Sequence, residues 1–402
     1  MKPNKDGKYV FPATDFPSLF LPSVTSVAEL LGLPKNLSQQ ITAFEQYFDK
    51  DFKISRSSKA CLVTEGVGKP TVNKLVKVGS ELSIPTSTLL SPIKLRKDRR
   101  ALRLGSNAVD WLSLYAGTKC SKNDGEFTDF FKGMSHRAEA DILMRKKLQT
   151  QIKLGELEST DISGVWLAQL PFWQQYSSIP NEQLATFTRY SEFSRAKLEN
   201  IKTLPADYSL ALGYMIFDFY LSAIACYEAA LGAFYQRRFA SLSTKNHLAL
   251  YERVSETLSS DGDDYTCFGA MLLEVKRLIS NERDDVSWRK LASFIPVDQV
   301  SQHGETLIDE QYHQLKDWKN GLNMPSMEKL ERFVTAAFSY HGNYDVDAML
   351  VYFRIAKVLD IKLNEFVAQV PNEHVTSTVE TVLSSYPVYL EKYRLLLARS
   401  IG

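Results

Sequence analysis

Apolar residues recur three and four positions apart through most of this chain, with charged residues filling the gaps between them. The stretch AEADILMRKKLQTQIKLGEL (138–157) has this spacing, and so does NEQLATFTRYSEFSRAKLENIK (181–202). That period places the apolar side chains on one face of a helix. TSTVETVLSSYPVYLEKYRLLLARSI (376–401) repeats the pattern around Pro387, where the missing N–H and the ring predict a break or kink. Strict alternation is scarce, so GKYVF (7–11) and FKIS (52–55) are the candidates for short strands. The predicted fold class is mainly α, a multi-domain helical protein.

Turn-forming residues interrupt the helices at SIPTSTLLSP (83–92), GTKCSKNDGEF (117–127), SSDGDDYT (259–266) and IPVDQVSQHGE (295–305). These breaks divide the chain into an expected head (1–105), a central helical domain (106–285) and a tail (286–402). The 402 residues are enough for two or three cores.

The most apolar segment, LALGYMIFDFYLSAIACYEAALGAFY (210–235), is long enough to span a bilayer. Asp218 and Glu228 would then lie in hydrocarbon at a cost of a few kcal/mol each, and the many alanines suit close helix packing. The segment is therefore read as the buried centre of a soluble bundle, with no membrane as partner. Met1 to Pro17 lacks the apolar run of a signal peptide. Cys61, Cys120, Cys226 and Cys267 form no C-x-x-C pair, which fits a reducing cytoplasm and argues against a zinc ribbon or disulfide scaffold. Trp166, Phe172, Trp173 and Tyr176 are expected in the core.

One internal similarity stands out. VTEGVGKPTVNKLVKV (63–78) shifted by 255 residues falls on KDWKNGLNMPSMEKLERF (316–333). Gly66 meets Gly321, Pro70 meets Pro325, Thr71 meets Ser326, and Lys74-Leu75 meets Lys329-Leu330, while Val72 meets Met327 and Leu82 meets Ala337. Glycine permits the left-handed turn that ends a helix, proline restricts the chain four residues on, and Thr or Ser can cap the next helix. Val72, Leu75, Val76 and Leu82, like Met327, Leu330, Val334 and Ala337, then share one helical face. Each stretch predicts helix, short turn, helix.

This G-x-x-x-P-[ST] turn followed by an amphipathic helix resembles the second half of a lambda-repressor-like (Cro-type) helix-turn-helix domain, in two divergent partial copies at about 54–90 and 309–338. The resemblance implies that the helix before each glycine is the one that enters the DNA major groove. ISRSSKACLVTEG (54–66) takes that position in the first copy and DEQYHQLKDWKNG (309–321) in the second. Trp318 matches the aromatic often found near the end of that helix. FRIAKVLDIKLNEFV (353–367) would follow as a closing helix.

Charge separates the copies. From Asp51 to Gly105 there are twelve Lys or Arg against four Asp or Glu, a net of +8, although the whole chain carries only +1. Phosphate neutralisation dominates DNA affinity, so the first copy is the expected DNA-facing one. Arg56, Ser57, Ser58 and Lys59 lie where side chains reach base edges. Lys69, Lys74, Lys94, Arg96, Lys97, Arg99, Arg100 and Arg103 are candidate phosphate contacts. In the second copy five acidic residues face four basic ones between Thr306 and Ala336. Gln311, His313 and Gln314 are its candidate base readers, with packing or dimerisation as the rival role.

Enzyme motifs fail. TEGVGKPT has Val63 where a P-loop needs its first glycine, and Pro70 where it needs Ser or Thr. No G-x-S-x-G elbow, H-E-x-x-H pair or cofactor-binding pattern occurs. His136 and Glu139 sit three apart and read as a solvated pair. The expectation is a cytoplasmic, non-enzymatic, double-stranded DNA-binding regulator without cofactors, whose middle dimerises or binds a protein partner. The alternative is a helical interaction scaffold that does not bind nucleic acid.

Overall fold

The computed structural model describes residues 4–9, 16–31, 38–39, 41–42, 45, 51–62, 64–81, 103–120, 125–191, 205–238, 250–260, 266–280, 285–297, 306–339, 345–370 and 375–398. These residues are mainly helical. Helix α1 (Val24–Leu30) precedes the first corner, made of α2 (Arg56–Cys61) and α3 (Lys69–Glu81). The middle of the chain forms α4 (Ala108–Cys120), α5 (Glu126–Leu154), α6 (Ile162–Tyr176), α7 (Asn181–Ser191), α8 (Ala206–Arg238), α9 (Leu250–Ser260) and α10 (Cys267–Ile279). Then come α11 (Trp288–Ala292), the second corner α12 (Leu307–Lys319) and α13 (Met327–Ser339), and finally α14 (Val346–Gln369), α15 (Val375–Ser384) and α16 (Tyr386–Ala398).

Helix α8 is the axis of the bundle. Helices α5, α7, α15 and α16 pack around it, and its small residues allow that approach. At Gly133 of α5 an added Cβ would fall 2.4 Å from Cys226 Sγ of α8, so only hydrogen fits there. By length and composition α8 could cross a membrane, but 78% of its most apolar window is buried by the rest of the chain. Asp218, one of the two acids that made a bilayer unfavourable, is paired: Arg137 Nη2 of α5 donates to Asp218 Oδ2 at 2.6 Å, and Ser178 N donates to Asp218 Oδ1 at 3.0 Å. Arg137 also donates to the Phe20 carbonyl, and its guanidinium lies 4.8 Å from the Phe20 ring centre. Such a buried pair is held by complete hydrogen bonding and would be strongly destabilising if broken.

The segment before α1 is clasped to the bundle by side chains distant in sequence. Asn107 Nδ2 donates to the carbonyls of Phe16 (2.7 Å) and Leu21 (3.0 Å), while its Oδ1 accepts from Phe16 N at 2.8 Å. Trp111 Nε1 donates to the Pro22 carbonyl at 3.0 Å. One continuous core therefore runs from Phe20 to Leu397. A second, small core is formed by Ile41, Phe52, Ile54, Leu62 and Val67, with Cys61, Val72 and Leu75 against it.

Several local expectations need correction. FKIS is not a strand: Lys53 has φ 52°, a left-handed conformation that ends any extended run. Of GKYVF, the described part contributes only an isolated bridge between Tyr9 and Val67. The predicted break from residue 117 starts later, because α4 continues to Cys120 and α5 begins at Glu126. SIPTSTLLSP lies outside the described residues. The expected interruption at Pro387 is present: α15 ends at Ser384 and α16 restarts at Tyr386, with the proline in its first turn, where a missing N–H is tolerated.

Candidate nucleic-acid interface

Ser55 starts the first corner. Its Oγ accepts from Ser58 N at 3.2 Å, capping α2. The helix is six residues long, roughly 9 Å at the α-helical rise. Leu62 and Val67 anchor its far end in the small core. Gly66 then turns the chain at φ 81°, and its N–H donates to the Cys61 carbonyl at 2.7 Å. Val67 exchanges two backbone hydrogen bonds with Tyr9. Helix α3 begins at Lys69, so Pro70 falls in its first turn and Thr71 lies inside the helix rather than capping it.

The charged side chains here divide into two groups. Arg56, Ser57, Lys69 and Lys74 are exposed, and Lys74 Nζ donates to the Lys53 carbonyl at 2.7 Å. Ser58 is half-buried and bonded to Ser55. Lys59 is turned away from solvent: its ammonium pairs with the Glu45 carboxylate and approaches Thr42 Oγ1 at 3.4 Å. That pairing takes Lys59 out of the expected base-reading set, because its charge is already compensated. Lys94, Arg96, Lys97, Arg99 and Arg100 lie outside the described residues, whereas Arg103 is exposed.

The second corner has the same turn but different surroundings. Thr306 caps α12, Gly321 turns the chain at φ 73°, and Ser326 Oγ accepts from Lys329 N at 3.2 Å to cap α13. Trp318 is buried against Phe333 (ring centres 5.6 Å) and Phe268 (6.5 Å). Thr266 Oγ1, at the start of α10, donates to the Lys319 carbonyl at 2.9 Å. A Cβ on Gly269 would lie 2.5 Å from that carbonyl oxygen, so α10 and the end of α12 are in close backbone contact. Lys357 Nζ of α14 donates to the Pro325 carbonyl at 3.2 Å. This corner is fixed in the main core.

Two of its three candidate readers are therefore engaged elsewhere. Gln311 is buried, and its Nε2 donates to the carbonyls of Ile295 (2.7 Å) and Ser293 (3.2 Å). Its amide anchors α12 to the end of α11, which corrects the expectation that it faces a base. Gln314 is half-buried and accepts from Lys329 Nζ at 2.6 Å. His313 is exposed. Asp309 stands at the N-terminus of α12, held below the usual carboxylate range by its hydrogen bond with Thr306 and by Arg289.

Sequence reasoning missed the acid that quenches Lys59. Glu45 is fourteen residues away in sequence, and no helical spacing links the two. The signal for the other hidden partners was visible: two carboxylates in the apolar 210–235 run must find donors. His136 and Glu139 are both exposed as expected, and no cluster with metal-ligand composition occurs among the described residues. No protein-family model matches the chain, and no curated protein or solved structure is significantly similar to it.

Proposed function

We propose that this protein binds double-stranded DNA sequence-specifically through the corner of α2 and α3, and acts as a cytoplasmic transcriptional regulator. The small separate core carries the reading. Because Ile54, Leu62 and Val67 satisfy the apolar needs of this corner, its polar side is free to hold Arg56, Ser57, Lys69 and Lys74 in solvent. Arg56 and Ser57 stand in the first turn of a capped helix, where a guanidinium can reach the O6 and N7 atoms of guanine. Lys69 and Lys74 suit phosphates, and the basic segment around Lys94 to Arg103 would add to that field.

The expected pair of reading heads per chain reduces to one, since the second corner is locked to α10, α11 and α14. A two-part operator would then need two chains, which assigns the helical body a dimerising role. Selection from a random duplex pool with the purified protein, at two salt concentrations, tests the proposal. The expected result is an enriched motif whose affinity falls steeply with salt. No enriched motif, with affinity independent of salt, would sink it.

A scaffold role is the second reading. It is favoured by the side chains that stand in solvent near the α5–α6 turn: Leu154 is 66% exposed and Ile162 69%. A stoichiometric protein partner that survives nuclease digestion, with no duplex binding, would support it.

A further inference from the structure

A cleft of about 320 Å³ lies between the bundle and the strap of chain that precedes α1. Phe16 and Pro22 of the strap stand on one side of it, Ile216 of α8 and Phe366 of α14 on the other. That volume is at the lower end for small-molecule sites and suits a ligand the size of an amino acid. Neither the duplex interface nor the Asp218 pair uses this cleft.

Its polar groups narrow the ligand class. The strap serines are engaged locally: Ser18 Oγ accepts from Leu21 N at 3.1 Å, and Ser23 Oγ bonds with Thr25 Oγ1 at 2.5 Å. Among the described residues that line the cleft, Lys362 and Glu365 are the charged ones. They stand one turn apart on α14, and Lys362 Nζ donates to Glu365 Oε2 at 2.7 Å. Their side chains are 35% and 50% exposed, so the pair is wet and separating it costs little. The two charges cancel. A phosphate would find one cation and an opposing carboxylate, and an organic cation would meet the reverse. A zwitterion suits both: its carboxylate accepts from Lys362, its ammonium donates to Glu365, and charge-assisted hydrogen bonds replace the original pair. The remainder of the ligand must be apolar to match Phe16, Pro22, Ile216 and Phe366.

We propose that this cleft binds a small zwitterion with an apolar tail, an α-amino acid such as phenylalanine, whose charged head sits at Lys362 and Glu365. The site is connected to the first corner. Phe16 Cδ1 lies 3.7 Å from where a Cβ on Gly105 would stand, so this residue borders both the cleft and the chain returning from that corner. A bound ligand braces the strap and the returning chain together. Any effect on duplex binding rests on the DNA reading above, whereas occupancy of the cleft does not.

Calorimetric titration of the full chain tests the site without DNA. The ligands are L-phenylalanine, L-leucine, phenylpropionate and phenethylamine. The amino acids should bind, and phenylpropionate and phenethylamine, each lacking one charge, should bind about tenfold more weakly than phenylalanine. Glu365→Gln should bring phenylalanine down to the level of phenylpropionate without weakening phenylpropionate. Lys362→Gln should bring it down to the level of phenethylamine in the same way. Both changes are at the wet rim of the cleft, outside the core. Saturating phenylalanine should also slow amide exchange in 16–23. Neither amino acid binding at millimolar concentration, equal affinity for phenylalanine and both analogues, or slowed exchange confined to other parts of the chain would each overturn the proposal.

Discussion

The two corners share a turn and differ in what lies behind it. Gly66 and Gly321 have nearly the same φ, 81° and 73°, and each stands between two helices. Behind the first is a five-residue core of its own; behind the second is the core of the whole body. Local turn chemistry therefore sets the shape of a helical corner but not its role. That role depends on which face of the first helix has been used for packing. In α12 it is the face bearing Gln311, Leu315 and Trp318, all buried. In α2 no residue is fully buried: Lys59 and Cys61 are turned inward, and the side bearing Arg56 and Ser57 stays in solvent.

The largest expected contrast is in stability. Trp318→Ala should cost about 3–5 kcal/mol and lower the melting temperature of the whole body. Leu62→Ala, at about 2–5 kcal/mol, should release only the first corner, with amide protection lost in 52–81 and kept in α8. Loss of protection throughout the chain in Leu62→Ala would show that the small core is not separate.

Binding sharpens the comparison next. Arg56→Ala should weaken the selected duplex by about 1–3 kcal/mol and relax one base preference. Lys69→Ala should weaken all duplexes alike and reduce the salt slope by about one. His313→Ala should leave affinity unchanged, and a matching loss there would return the second corner to the interface. The two glycines give modest effects on stability. Gly66→Ala and Gly321→Ala should each cost roughly 1–2 kcal/mol from left-handed strain. At Gly321 the new Cβ also meets Thr266 Cγ2 at 3.3 Å, which adds a steric share to the loss that calorimetry should read there.

The helical class, both corners and the break at Pro387 were legible because each follows from spacing within about ten residues. What escaped depends on contacts across the chain. Arg137 and Asp218 are 81 residues apart, and Glu228 finds its partners at separations of 23, 124 and 158. Hydrophobic period announces that α8 is buried without saying which helix supplies its donors. The six-residue length of α2 was hidden too, since ISRSSKACLVTEG has no strong stop before Gly66. The burial of Gln311 was unreadable because its acceptors are backbone carbonyls of Ser293 and Ile295, which carry no side-chain signature.

Asn107 gives the molecule a mechanical property. It holds Phe16 and Leu21 through three hydrogen bonds, and its neighbour Ser106 donates to Asp141 Oδ2 of α5 at 2.5 Å. The chain goes on from there through α1, which is packed in the main core, to the first corner, and comes back to the body at Ser106 and Asn107. A tug on that corner, by whatever it grips, thus reaches the body through α1 at one end and through the Asn107 knot at the other, and that knot ties the two ends of the excursion together.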